Sequence, residues 1–307
     1  MIVSSFDHRQ QPLKTGSLLL ALLCAVIWSG QGIAVKLAVL ELPPYLIVSL
    51  RHLIAIPFLF GWMLWTGSSF RLDPGKFCYV LMNALFVCIS MVLFVFGTEG
   101  TTSSRSMILV NSFPLFSAIF CSLLLVDSRI SIKQSISLLI AFMGVVLILY
   151  SPEESTLAGE ILVLFSAAAI GLKVALVRYL LLKLESAPLV FWTTVLTSLI
   201  CGILSFLFEH AEIKWNNAAL LAVCYQGIMV SALGSLLWTS LLSRHNPHDL
   251  TPFQLLAPAL GILAGVVFLS EPLTLRMILG SLCVLAGLGL VLQGKPRVAK
   301  VEDGLTE

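Results

Sequence analysis

Apolar residues run along this chain in long blocks separated by short polar stretches. The blocks predict ten helices, each close to the roughly 20 residues needed to cross a hydrocarbon core. The expected spans are 18–38, 45–65, 77–96, 107–126 and 135–150 in the first half, and 160–181, 188–208, 218–241, 251–269 and 277–292 in the second. Pro43 and Pro44 and the polar stretches 66–76, 97–105 and 209–217 divide neighbouring blocks. Backbone amides in lipid have no water to bond, so the blocks are expected to be α-helices. The fold class expected is therefore an all-α membrane protein.

A second pattern lies over the first. Thirteen residues separate Pro114 from Asp127, and thirteen separate Pro258 from Glu271; seven separate Ser137 from Gly144, and seven separate Gly280 from Gly287. Such matched intervals point to an internal duplication. The boundaries expected are a tail at 1–15, a first five-helix repeat at 16–150, a linker at 151–158, a second repeat at 159–293 and a tail at 294–307. Lysine and arginine set the orientation. With the N-terminus in the cytoplasm, Arg9, Lys14, Arg71, Lys76, Arg129, Lys133, Arg178, Lys183, Arg244, Lys295, Arg297 and Lys300 lie inside, against Lys36, Arg105, Lys214 and Arg276 outside. Positive charge favours the inner side, so both termini are expected in the cytoplasm. Five is an odd number, so the second repeat must be inverted relative to the first, a plan that places a solute site near the midplane between the halves.

Composition narrows the class further. Hydrophobic residues are 58% of the 307 and charged residues 11%, where a soluble domain is nearer half and a quarter. Mean hydropathy is +1.01. The first fifteen residues are too polar, and the apolar run after them too long, for a cleaved signal peptide. A net charge of +2 gives no reason to expect a nucleic-acid partner. The seven cysteines make no CxxC pair and read as small apolar packing residues. His245, His248 and Asp249 have the spacing of a weak metal pair, but a solvated turn is the preferred reading; no metal and no cofactor are expected.

Polar residues inside spans are the candidates for solute contact, because they face the interior of a bundle. Trp28 and Gln31 share one face of the first span, Asn83 and Ser90 one face of the third, and Asn111 lies one turn before Pro114. Tyr225 and Gln226 hold similar places in the eighth span. Helix-to-helix hydrogen bonds are the plain alternative for each. Lys173, in the sixth span, is the charge closest to the middle of any span, and either binds a solute carboxylate, releases a proton, or snorkels to the cytoplasmic face. Arg51 lies nearer an end and is expected to anchor by snorkelling. Pro114 and Pro258 each remove a helix amide at matching depth and are hinge candidates. Asp127 and Glu271, just past their helices, are expected to cap or pair locally.

Several of these residues carry a resemblance. Trp28-Ser29-Gly30 followed by Lys36, then Pro43, Pro44 and Arg51, then Pro114 with Asp127, and Pro258 with Leu269-Ser270-Glu271, resemble the signatures of the EamA-like family in the drug/metabolite transporter superfamily. The resemblance covers about residues 16–292. It departs at Asp127, where the family usually has glutamate, and at Ile170-Gly171, which stand where the first repeat has Trp28-Ser29. It implies ten helices, a central cavity, and export or exchange of small metabolites, with amino acids or their derivatives as cargo. The partners expected are a small-molecule metabolite and the lipid bilayer of an inner or plasma membrane, with a homodimer left open. An intramembrane enzyme is the competing class, and no acid deep in a span supports it. A membrane protein without cargo is the third, and the mirrored halves speak against it.

Overall fold

The computed structural model describes residues 15–72, 74–124, 132–149, 156–180, 185–210, 213–245, 250, 253 and 256–293. Among these residues there are helices and turns and no strand. The helices are α1 (Thr15–Ser29), α2 (Gln31–Val39), α3 (Pro44–Thr66), α4 (Pro74–Glu99), α5 (Ser103–Val110), α6 (Phe113–Leu124) and α7 (Ile132–Leu149) in the first half. The second half has α8 (Leu157–Leu180), α9 (Ser186–Phe208), α10 (Asn217–Tyr225), a π-helical segment (Gln226–Gly234), α11 (Ser235–Arg244), α12 (Leu256–Leu269) and α13 (Leu275–Gln293). Among the described residues, six stretches are long and apolar enough to cross a membrane: Thr15–Val39, Pro44–Thr66, Pro74–Glu99, Leu157–Val174, Ser186–Phe208 and Asn217–Arg244. The other expected spans coincide with shorter apolar pieces, of which Leu139–Ile148, Leu256–Leu269 and Leu275–Gly287 are the clearest. Asp127, residues 151–155 of the linker expected at 151–158, residues 1–14 and 294–307 of the tails, and His248 with Asp249 lie outside the described residues, whereas Thr15 already belongs to α1.

The outer surface is apolar. Phe206, Trp65 and Phe268 are 83%, 77% and 75% exposed. Side chains of that size gain nothing from water, so the faces that carry them suit hydrocarbon. Burial inside the bundle is achieved largely by small residues, which let helix backbones approach without a hydrophobic driving force between them.

The duplicated block serves this close approach. A Cβ built on Gly144 would stand 2.5 Å from the Gly280 carbonyl oxygen, and one built on Gly287 would stand 2.6 Å from the Ser137 carbonyl oxygen. The second small residue of each copy thus packs on the first small residue of the other, and α7 and α13 lie together along their length. Other pairings repeat across the halves. α4 packs on α8 as α10 packs on α2, α6 packs on α8 as α12 packs on α1, and α3 packs on α9. In the last pair the Ser49 hydroxyl donates to the Ser198 carbonyl at 3.0 Å and the Ser198 hydroxyl to the Ser49 carbonyl at 3.1 Å.

Helix ends explain several of the charged residues. Pro44 occupies the first turn of α3, where its missing amide costs nothing. The Tyr45 and Leu46 amides of that turn donate to the Glu209 carboxylate at 2.6 and 3.0 Å. Ser103 and Ser104, opening α5, donate to the Glu271 carboxylate at 2.7 and 2.9 Å. Glu271 therefore caps a helix of the other half, where the sequence suggested a local role. Ser270 makes this reach feasible: at φ 53° it turns the chain sharply after α12. The Lys36 ammonium donates to the carbonyls of Thr98, Glu99 and Thr101 at 3.1, 3.1 and 2.6 Å, where α4 ends. Arg105 and Glu160, both fully buried, form an ion pair at the same end of the bundle.

Candidate functional site

Among the described residues, three spans lose their α-helical regularity near mid-depth. The first breaks at Gly30 between α1 and α2, the fourth at Asn111 and Ser112 between α5 and α6, and the eighth becomes π-helical from Gln226 to Gly234. Irregular backbone at membrane depth persists only where protein buries it or where it lines a cavity. Here it does both. The Ser112 hydroxyl donates to the Leu109 carbonyl at 2.6 Å, and the Asn111 side-chain amide to the Met107 carbonyl at 2.7 Å. Tyr225 steadies the Gly30 break. Its hydroxyl donates to the Ile27 carbonyl at 2.6 Å and stands where a side chain on Gly30 would be.

Beside these breaks lies a cavity of about 260 Å³. Trp28 and Gln31 border it from the first break, Asn111 and Phe113 from the second, and Ser231 and Ser235 from the π-helical span. Arg51 and His52 of α3, Asn83 of α4, Lys173 of α8, Thr193 and Thr194 of α9, and Trp238 and Thr239 of α11 complete its polar and aromatic lining. Valines and methionines fill the intervals, with Val87, Met91 and Met107 among them. Trp28 and Trp238 meet edge to face, ring centroids 5.2 Å apart. Pro114 stands in the first turn of α6, a position a proline tolerates, and Pro258 lies within α12.

The cavity sits toward one end of the bundle. Its lining comes from the early part of α9 and the late parts of α8 and α11, together with mid-depth residues of α4. The opposite end holds Lys36 on its three carbonyls, the Glu271 cap and the Arg105–Glu160 pair.

The sequence candidates divide in two. Trp28, Gln31, Asn83, Asn111 and Lys173 share the cavity. Ser90, Tyr225 and Gln226 are engaged in the frame. The Ser90 hydroxyl donates to the Val87 carbonyl at 3.0 Å, and its own carbonyl accepts Ser166 at 2.7 Å. Gln226 is fully buried and receives Arg51 on its amide oxygen at 3.3 Å. Arg51 reverses the snorkelling expectation. It is 2% exposed, turned inward, and its Nε donates to Ser231 at 2.9 Å. Five residues inside a helix end suggested the surface, but rotation about the helix axis decides, and no spacing reports it. Lys173 likewise lines the cavity rather than reaching the bundle's end. His245 bonds Ser17 at 2.9 Å, and no metal-sized cluster of His, Cys, Asp and Glu occurs among the described residues.

Comparison with known proteins agrees with this architecture. A sequence model described as the EamA-like transporter family matches residues 15–150 and again 157–293. An uncharacterized transporter of Archaeoglobus fulgidus is 28% identical over 88% of this chain and 96% of its own length. A probable amino-acid metabolite efflux pump of Salmonella typhimurium is 25% identical over 88% of this chain and 92% of its own. One crystal structure superposes with a TM-score of 0.69 over 91% of this chain and 98% of the other, at 17% identity, which is a likeness of fold.

Proposed function

The chain belongs to the EamA-like transporter family, and from that membership we propose that it is a secondary transporter that exports small organic metabolites by alternating access. The observation that carries the reading is one cavity of metabolite size, about 260 Å³, lined by helices of both halves and closed at one end. In this reading ten helices form two inverted five-helix repeats, and the helix pairings that recur across the halves support it. Both termini are cytoplasmic, as the lysine and arginine bias suggests. The cavity then faces the cytoplasm, and the far end, with Lys36, Glu271 and the Arg105–Glu160 pair, is the outer barrier.

The protein is a multi-pass protein of the inner or plasma membrane in this reading. The names of its efflux-pump relatives favour amino acids or their derivatives as cargo. Trp28, Gln31, Asn83, Asn111 and Lys173 contact the solute in the cavity. Pro114 and Pro258 act as hinges in this reading: Pro114 follows the break at Asn111 and Ser112, and Pro258 is its match in the second repeat. An enzyme is disfavoured because no carboxylate borders the cavity among the described residues. The purified protein in sealed vesicles, loaded with a mixed metabolite pool, is expected to release specific members of that pool. Turnover of a lipid or peptide with no change in pool composition would refute the transport reading.

A further inference from the structure

Two cations border the cavity, and no acid among the described residues lines it. Arg51 and Lys173 lie on its wall, and the charges repel each other across it. All sixteen acids of the sequence fall at span ends, in connections or in tails. The acids of the described residues follow suit: Glu160 is paired with Arg105, Glu209 and Glu271 cap helices, Glu41 accepts the Asn216 side chain at 2.8 Å, Glu99 ends α4 and Glu185 precedes α9. Neither cavity cation therefore has a countercharge among the described residues.

The two cations are prepared differently. Arg51 is held rigidly, with Nε on Ser231 at 2.9 Å and Nη1 on Gln226 at 3.3 Å and against the Met91 sulfur at 3.7 Å. These neutral partners orient the guanidinium and leave its charge uncompensated. Its Nη2 donates no hydrogen bond to the described residues. A fixed planar fork is suited to a carboxylate. The Lys173 ammonium makes no hydrogen bond or ion pair with the described residues, and it offers three donors on a mobile stem. A buried charge without a partner is costly, and a ligand of opposite sign relieves that cost.

We propose that the solute bound between Arg51 and Lys173 is an organic dianion, a dicarboxylate whose apolar part packs against Trp28 and Trp238. The inference rests on the transport reading and sharpens its cargo. A zwitterionic amino acid would bring a third cation into a site that already holds two. Neutral acceptors such as Asn83 and Thr193 can take a hydrogen bond from an ammonium but do not offset its charge. Amino-acid derivatives that have lost or acylated the amino group and carry two carboxylates meet the requirement. The edge-to-face tryptophans offer an aromatic wall for the carbon skeleton.

The test uses three ligands that share a phenyl group on a two-carbon unit. Phenylsuccinate is a dianion, phenylalanine a zwitterion and phenethylamine a cation. Each is titrated calorimetrically into the purified full-length protein in lipid nanodiscs. Phenylsuccinate is expected to bind at least about tenfold more tightly than phenylalanine, and phenethylamine not to bind. Losing one charged hydrogen-bond donor should weaken phenylsuccinate by about ten- to a hundredfold in Arg51→Gln and in Lys173→Met. Lys173→Arg should restore most of the lost affinity. The wild-type ranking stands without any variant, so a misfolded Arg51→Gln protein does not spoil the test. Equal or tighter binding of phenylalanine overturns the proposal, and so does absence of binding by all three. Phenylsuccinate binding without flux in vesicles would spare the dianion site and refute the transport reading, whereas amino-acid flux without phenylsuccinate binding would do the reverse.

Discussion

Replacing Gly144 by alanine should loosen the contact between α7 and α13. The new methyl carbon would stand 2.5 Å from the Gly280 carbonyl oxygen, 2.7 Å from the Val284 amide nitrogen and 2.8 Å from the Cys283 Cβ. Two of these atoms are backbone and cannot rotate away, while an unstrained carbon–oxygen contact is about 3.3 Å or longer even for a weak CH···O bond. The helices must therefore separate by several tenths of an ångström along their interface, which loosens contacts on both sides of the site. Overpacking of this kind costs about 1–3 kcal/mol. Against it stands the usual benefit of alanine over glycine in a helix, at most about 1 kcal/mol. Gly289 supplies the control, because a Cβ there meets nothing within 4 Å. Gly289→Ala should be neutral or mildly stabilising. The two variants should therefore differ by about 1–3 kcal/mol in reversible unfolding in mixed micelles, with Gly144→Ala the less stable. Equal stability of the two would refute the reasoning, because it would mean that the backbones are not in contact at Gly144.

Glu160→Gln leaves Arg105 buried opposite a neutral group and should cost about 3 kcal/mol by denaturant unfolding, much of it recovered when Arg105 is also replaced by methionine. Pro114→Ala or Pro258→Ala should slow vesicle flux more than it lowers the amount of folded protein; unchanged flux in both would make them static features. Reporters fused at residues 70 and 130 should read as cytoplasmic and one at residue 155 as external, and a cytoplasmic signal at 155 would end the inverted-repeat reading.

Part of the candidate site was legible in the chain, and the residues show why. Trp28 and Gln31 border the cavity because they flank Gly30, a break visible as a glycine-rich interruption of an apolar run. Asn111 borders it for a similar reason, beside Pro114. Arg51, His52, Thr193 and Trp238 were not legible as a set. They come from three different spans and meet through helix rotation. Ser90, Tyr225 and Gln226 had the same polar signature as Asn83 but bond to carbonyls or to Arg51 in the frame. The Cys88 and Cys201 sulfurs, 3.0 Å apart between α4 and α9, are another meeting that no spacing announces.

The sequence by itself determined the solvent and the elements. Apolar runs of this length, with so few charges, leave only helices in lipid, because unpaired backbone groups there cost several kcal/mol each. It also determined the duplicated block, since Ser137, Gly144, Gly280 and Gly287 recur at fixed intervals. What only the tertiary structure decided is which surfaces meet. The four small residues cross-pack between halves, Glu271 caps a helix of the other repeat, and Arg51 faces Lys173's cavity instead of the lipid headgroups. The physical reason is one of dimension. Hydropathy along a chain is a one-dimensional quantity and reports whether a residue leaves water. The azimuth of each helix is set by contacts with neighbours far away in sequence, through close backbone approach and hydrogen bonds that no local pattern contains.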